Sequence, residues 1–100
     1  MSKYILSPNA QKSLVSIKVY SLNQFGERQT KIYLQSIQSK FEELAGNPEI
    51  GRIRDEIKTG YLSVLIGSHV IFYRISESYI IDIIDVLHQS MEPLLHLYSD

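Results

Sequence analysis

Residues 60–91 read GYLSVLIGSHVIFYRISESYIIDIIDVLHQSM, and the architecture turns on this stretch. Three runs rich in β-branched and aromatic residues, at 61–66, 69–75 and 79–87, are separated by Gly67-Ser68 and Ser76-Glu77-Ser78. Connections this short join neighbouring antiparallel strands, so the spacing predicts three strands linked by hairpins. In the last run Ile80, Ile84 and Val86 alternate with Ile81, Ile83 and Leu87. A strand apolar on both faces belongs inside a sheet, with helices covering one of them.

Upstream, Lys3-Tyr4-Ile5-Leu6 reads as a short opening strand. Ser7-Pro8 then starts a helix, since serine caps free N–H groups and proline fits the first turn, where its missing N–H costs nothing. Ala10, Leu14, Ile17 and Ser21 form one helical stripe, with Val15, Val19 and Leu22 beside it. Gly26 is the expected stop. A second helix is expected from Glu27, with a core stripe of Tyr33/Leu34, Ile37, Phe41, Leu44 and Ala45. It ends at Asn47-Pro48, because proline disfavours helical geometry in the residue before it. The short connection predicts an antiparallel helical hairpin. Residues 51–58 read as a polar loop with a brief strand at 53–57. The expectation is an α+β fold, β-α-α-β-β-β, in one domain spanning 1–100. An antiparallel sheet with an N-terminal strand carries the two-helix hairpin on one face. In the tail 92–100, Leu94, Leu95, Leu97 and Tyr98 either close the core or meet a partner.

A chain of 100 residues with 44% hydrophobic and 21% charged content fits an ordinary globular domain. Without cysteine, disulfides, thiolate catalysis and cysteine metal sites are excluded. The first ten residues lack the apolar core of a signal peptide, and no run approaches a membrane span, so a cytoplasmic location is expected. The net charge of −1 is unevenly spread. Residues 1–41 carry six basic groups against Glu27, net +5, whereas 42–100 carry four against ten acids, net −6. A nucleic-acid reader concentrates cations on its reading face. An acidic sheet half has the wrong sign for that, so no direct nucleic-acid contact is expected.

The chemistry-bearing residues are few. His69, His88 and His96 form no metal-ligand spacing, and neither metal nor cofactor is expected. Ribonuclease chemistry would need a base, an acid and cations around the scissile phosphate. Glu56, Tyr61, His69, Tyr73 and His88, with Arg52, Arg54, Lys58 and Arg74, are the available groups, and spacing alone does not make them converge. Asp82 and Asp85 interrupt an otherwise apolar strand and, three apart, should face opposite ways. Burying an unpaired carboxylate is costly. Pairing with Arg74, Arg52 or Arg54, exposure near an edge, or contact with a partner are the open explanations.

Several motifs occur in a telling order. They are Tyr4-x-Leu6-Ser7-x-x-Ala10, Ile17-x-x-Tyr20, Gly26-x-x-x-Thr30-x-x-Tyr33 and Leu44-Ala45-x-Asn47-Pro48-x-x-Gly51. Asp55-Glu56-Ile57-x-x-Gly60-Tyr61, Gly67-Ser68-His69-Val70-Ile71-Phe72-Tyr73-Arg74 and Val86-Leu87-His88-Gln89-Ser90-Met91-Glu92 follow. The chain resembles ParE-like toxins of the RelE/ParE superfamily. That resemblance implies the toxin half of a bacterial type II toxin–antitoxin pair, of the kind associated with plasmid stabilisation. It also implies inhibition of DNA gyrase by binding rather than catalysis, and a ParD-like antitoxin that folds a flexible segment over the hairpin and sheet. A homodimer or a hetero-oligomer with the antitoxin is compatible with it. The basic N-terminal half suits an acidic segment. A RelE-like, ribosome-dependent mRNA endonuclease and a non-toxic antitoxin-binding subunit are the alternatives. Arg74, Asp82, Asp85, His88, Met91, Leu94, Leu95 and Leu97 are the expected partner-contacting residues. One departure stands out: such toxins usually carry arginine where this chain has Asp85, and often a basic residue where it has Asp82. Charge reversal opposes the original complementarity. It predicts gyrase poisoning that is weakened, retargeted or lost, with fold and antitoxin binding retained.

Overall fold

The computed structural model describes residues 3–97. Strand β1 (Tyr4–Leu6) leads into the helical segment α1 (Pro8–Gly46), and a 3-10 turn (Pro48–Ile50) precedes β2 (Arg52–Ile53). Strands β3 (Leu62–Ile66), β4 (His69–Ile75) and β5 (Ile81–His88) follow, then helix α2 (Pro93–Leu97). The five strands form one sheet in the order β1-β5-β4-β3-β2.

The start of α1 is the expected one: the Ser7 hydroxyl accepts from the Ala10 N–H at 3.0 Å, with proline next in the chain. Gly26, at φ 82° and ψ 178°, breaks the helix into two arms. Only glycine takes this conformation without strain. A straight helix of that length would reach about 58 Å, yet the longest dimension of the protein is 39 Å. Ala10 and Ile17 of one arm and Ile37, Phe41 and Leu44 of the other pack into the same core. The arms therefore fold back as the expected hairpin.

This core fills the space between hairpin and sheet, meeting Ile71, Tyr73, Ile81, Ile83 and Val86. The opposite face has its own cluster, Ile57, Tyr61, Phe72, Leu87 and Leu97, supplied by the loop before β3 and by α2. Thr30 is buried in the second arm, and its hydroxyl has no hydrogen-bond partner among the described residues. An unsatisfied buried hydroxyl costs about 1–3 kcal/mol, so Thr30→Val should raise the unfolding free energy by about 1 kcal/mol. Urea denaturation measures this directly.

Four expectations need correction. First, the sheet is mixed rather than antiparallel, because β1 pairs with β5 in parallel, Tyr4 opposite Ile81. Residue alternation carries no strand direction, and the long connection between these strands permits either one. Second, the strand expected at 53–57 is confined to Arg52–Ile53. The chain then curls, Ile57 N–H bonding to Arg54 C=O at 3.0 Å, and drops Ile57 into the second core. Third, Tyr79 is an exposed turn residue at φ 59°, and β5 starts two residues later. Fourth, Phe72 pairs with Asp85 while Tyr73 pairs with Ile83, which leaves Ile84 as the extra residue of a β-bulge. The bulge resets the alternation. Ile81, Ile83 and Val86 consequently share the hairpin-covered core, whereas Ile84 and Leu87 pack on the other side.

Candidate partner-binding groove

A groove of about 800 Å³ runs between the helical hairpin and the end of β5. The first arm supplies Lys12, Ser13, Ser16, Ile17, Tyr20, Ser21 and Phe25, and the second supplies Gln29 and Tyr33. Ser68 and His69 lie at one end, with Val86, Leu87, His88 and Met91 along the floor and rim. Tyr20 and Phe25 are each more than half exposed although their rings line this groove. Among the described residues no carboxylate lines it, and the ionisable lining groups are Lys12, Tyr20, Tyr33, His69 and His88. Polar and apolar groups are mixed along an open cleft, a composition that favours a peptide segment over a small ion.

Side chains at the hairpin end of the groove are firmly tied. The Tyr33 hydroxyl donates to Ile66 C=O at 3.0 Å and accepts from Ser68 N–H at 3.2 Å. It also lies 2.6 Å from His69 Nδ1. With the single phenol proton on the carbonyl, His69 Nδ1–H is the donor in that contact. His69 and His88, directly opposite in the ladder, meet edge to face at 5.4 Å. His88 Nδ1 accepts from Ser90 N–H at 3.1 Å. Burial lowers the His69 pKa, and proximity to His88 adds to the effect. The unfolded chain then takes up this proton first as pH drops below about 6.5. Stability present at neutral pH should be lost as pH falls from there toward the lower folded value. His69→Gln should flatten that loss in urea titrations run between pH 7 and pH 5.

The nuclease candidates are spread over the protein. Glu56 projects from the loop before β3 and is held by Arg54 at 2.7 Å, which keeps its carboxyl below the usual range. Arg54 also reaches Ser63 Oγ at 3.1 Å and lies over the Phe72 ring at 5.3 Å. Tyr61 is buried in the second core. Tyr73 is buried in the first, donating to Pro48 C=O at 2.8 Å and accepting from Gly51 N–H at 3.0 Å. Burial raises its pKa. Of these candidates only His69 and His88 line the groove.

Arg74 and Asp82 are cross-strand neighbours joined by a 3.2 Å ion pair, one of the expected explanations for Asp82. Asp85 is different. It is buried and forms no ion pair among the described residues. Its carboxylate accepts from the Ser13 hydroxyl and, at 2.8 Å, from Val86 N–H. Of the open explanations, pairing with arginine and exposure do not apply to Asp85, which ties the first arm of α1 to the strand at its bulge. Asp82 thus meets Arg74 across the ladder, whereas Asp85 meets Ser13 of the helical hairpin, so the two carboxylates serve different partners.

His88 and Met91 line the groove, whereas Leu97 is buried in the second core. Leu94 and Leu95 of α2 are exposed. Tyr98 lies outside the described residues. Lys12, Ser13, Tyr20, Phe25 and Tyr33 line the groove although none of them was among the expected partner-contacting residues. Tyr20 and Phe25 did carry a signal: both are aromatic, yet neither falls on the core stripe of Ala10, Leu14, Ile17 and Ser21.

The family model for the ParE toxin of type II toxin-antitoxin systems, parDE, matches residues 4–93. The chain belongs to the ParE toxin family. Two strains of Mycobacterium tuberculosis have a relative named Toxin ParE1 that is 42% identical over 91 residues, covering 91% of this chain and 93% of the relative. A Toxin ParE1 of Caulobacter vibrioides is 37% identical over 97 residues, 97% of this chain and 99% of the relative. This ParE family member is therefore the toxin type of a type II toxin–antitoxin system. Its fold is shared with a chain of the chromosomal ParDE system from P. aeruginosa. That match has a TM-score of 0.75 at 16% identity and covers 88% of this chain and 96% of the other. The RelBE2 toxin–antitoxin complex of Mycobacterium tuberculosis gives 0.61 at 18%, covering 87% and 96%.

Proposed function

We propose that this ParE family member disables a bacterial type II topoisomerase, DNA gyrase being the inferred target, by binding it without bond-breaking chemistry. A cognate antitoxin neutralises it by laying a flexible segment into the groove between hairpin and β5. The observation carrying the antitoxin half is the groove itself, with its exposed aromatic rings, its single lysine and no lining carboxylate. Ordering a flexible segment costs entropy, which apolar anchors and complementary charge offset. Tyr20 and Phe25 provide the anchors, and Lys12 with the basic hairpin provides the charge. His88 and Met91 belong to this contact surface, with exposed Leu94 and Leu95 available beyond it. The non-catalytic half is supported by the dispersal of Glu56, Tyr61 and Tyr73 away from the paired histidines. No helix among the described residues is long and apolar enough to cross a membrane, which agrees with action inside the cell.

A second outcome is favoured by Asp82. It neutralises Arg74, an exposed cation on the sheet, and so weakens any contact made by that cation with an acidic target. In that case antitoxin binding survives while poisoning does not.

Inducing the chain alone in bacteria separates these readings. Growth arrest with DNA-damage signalling and lost supercoiling supports topoisomerase inhibition. Normal growth together with tight antitoxin binding supports the inert subunit. Rapid cleavage of messenger on translating ribosomes, abolished by Glu56→Gln or His88→Ala, would overturn both in favour of a nuclease.

A further inference from the structure

The cleft as a whole suits a peptide, but the end marked by His69 holds a feature of another kind. His69 opens β4 and His88 closes β5, and the two stand directly opposite each other in the ladder. Gln89 N–H bonds Ser68 C=O at 2.8 Å, which makes the next pair along, His69 with His88, a non-hydrogen-bonded one. Side chains at such positions leave the sheet on one face and lie closest together. The two rings are nearly perpendicular, with centroids 5.4 Å apart. Two imidazoles sharing one ion at about 2.0–2.1 Å and a tetrahedral angle would have centroids about 5.2 Å apart. Strand pairing alone therefore brings the rings to the separation of a chelate. Spacing along the sequence does not reveal this, because the two ligands come from different strands.

Hydrogen bonding selects the nitrogens. His69 Nδ1–H is committed to the Tyr33 hydroxyl at 2.6 Å, and that hydroxyl gives its own proton to Ile66 C=O. In the neutral ring Nε2 then carries the lone pair, and Tyr33 fixes the ring from behind, as partners of metal-binding histidines do. His88 Nδ1 is engaged by Ser90, whose N–H lies at 3.1 Å and Oγ at 2.8 Å. A serine hydroxyl accepts as well as donates, so the His88 proton can move from Nε2 to Nδ1 without leaving the ring. Neither Nε2 is taken by a hydrogen bond among the described residues. His69 is half-buried and His88 exposed, which leaves the pair open to solvent.

We propose that His69 and His88 bind a late first-row divalent ion, of the zinc, nickel or copper class, through their Nε2 atoms. Imidazole suits these metals, whereas magnesium and calcium take oxygen ligands. No third histidine or carboxylate joins the pair among the described residues, so water takes the remaining positions. The ion clamps β4 to β5 at the end of the sheet. This binding needs no partner protein and holds whichever reading of the groove is right.

Zinc chloride titrated into the full chain at about pH 7.5, where histidine is mostly neutral, should bind one ion per chain and saturate below about 1 mM. Imidazole nitrogen resonances should show both Nε2 atoms shifting together and both rings in the Nδ1–H form. Magnesium at the same concentration should leave the spectrum unchanged. His69→Gln and His88→Gln should each weaken binding at least about tenfold, whereas His96→Gln, outside the groove, should not. Tyr33→Phe keeps both ligands, removes the group that orients His69, and should weaken binding about tenfold. Failure to saturate, binding that leaves either ring unshifted, or binding lost with His96→Gln instead overturns the site. Unchanged affinity in a folded Tyr33→Phe variant overturns the orienting role of Tyr33. The ring spectra are read on the unaltered chain, so they decide even where a variant does not fold.

Discussion

Gly51→Ala destabilises the protein by about 3 kcal/mol, a large part of the margin of a domain this size. A Cβ at this position would overlap the Tyr73 hydroxyl and stand 2.8 Å from its ring carbon Cζ. Tyr73 cannot retreat, because it is fully buried and its hydroxyl is held by Pro48 C=O and Gly51 N–H. The added methyl must displace the 3-10 turn from the sheet or push the ring into the core. Tyr73→Phe alone should cost about 1–2 kcal/mol, since it leaves the Gly51 N–H without its acceptor. The double variant should be more stable than the sum of the two losses, because the hydroxyl is the principal obstacle. Urea unfolding of all four proteins gives the coupling. Additivity within about 0.5 kcal/mol would show that the two groups do not oppose each other as described.

Replacing both groove aromatics, Tyr20→Ala with Phe25→Ala, should weaken antitoxin binding by about 100-fold or more, since buried aromatic anchors often contribute about 2 kcal/mol each. The fold should be nearly unchanged, because both rings are mostly exposed in the free chain. Calorimetry reads the affinity, and circular dichroism with urea unfolding checks the fold. Retained affinity in a folded double variant would place the antitoxin elsewhere. Leu65→Ala is the matched comparison: it removes a similarly exposed apolar side chain that does not line the groove.

Local chemistry was legible in the sequence wherever neighbours along the chain decide the outcome. Ser7-Pro8 began the helix, Gly26 broke it, Asn47-Pro48 ended it, and the two short turns placed β3, β4 and β5 within two residues. What depends on pairing was not legible. The bulge at Ile84 is defined by what stands across from it, and the apolar pairs Ile80-Ile81, Ile83-Ile84 and Val86-Leu87 read equally well in either register. The direction of β1 has the same cause. Asp85 looked like a candidate for an arginine, but its actual partner is Ser13, 72 residues away and chemically unremarkable in sequence. The groove combines residues 12–33 with residues 68–91, so no single motif contains it. Family resemblance supplied the expectation of a partner and a target, while the proposed seat came only from the assembled hairpin and strand.

The pairing of β1 with β5 has a consequence for synthesis. Ser7 closes onto Ile83 and Ile84 across nearly eighty residues, and β5 contributes to both cores. A nascent chain that lacks residues 81–88 can assemble neither core nor the groove floor. Helical turns can form early, but the interacting surface exists only once residues 81–88 have joined the hairpin. The neutralising protein thus meets an assembled surface and not a nascent hairpin.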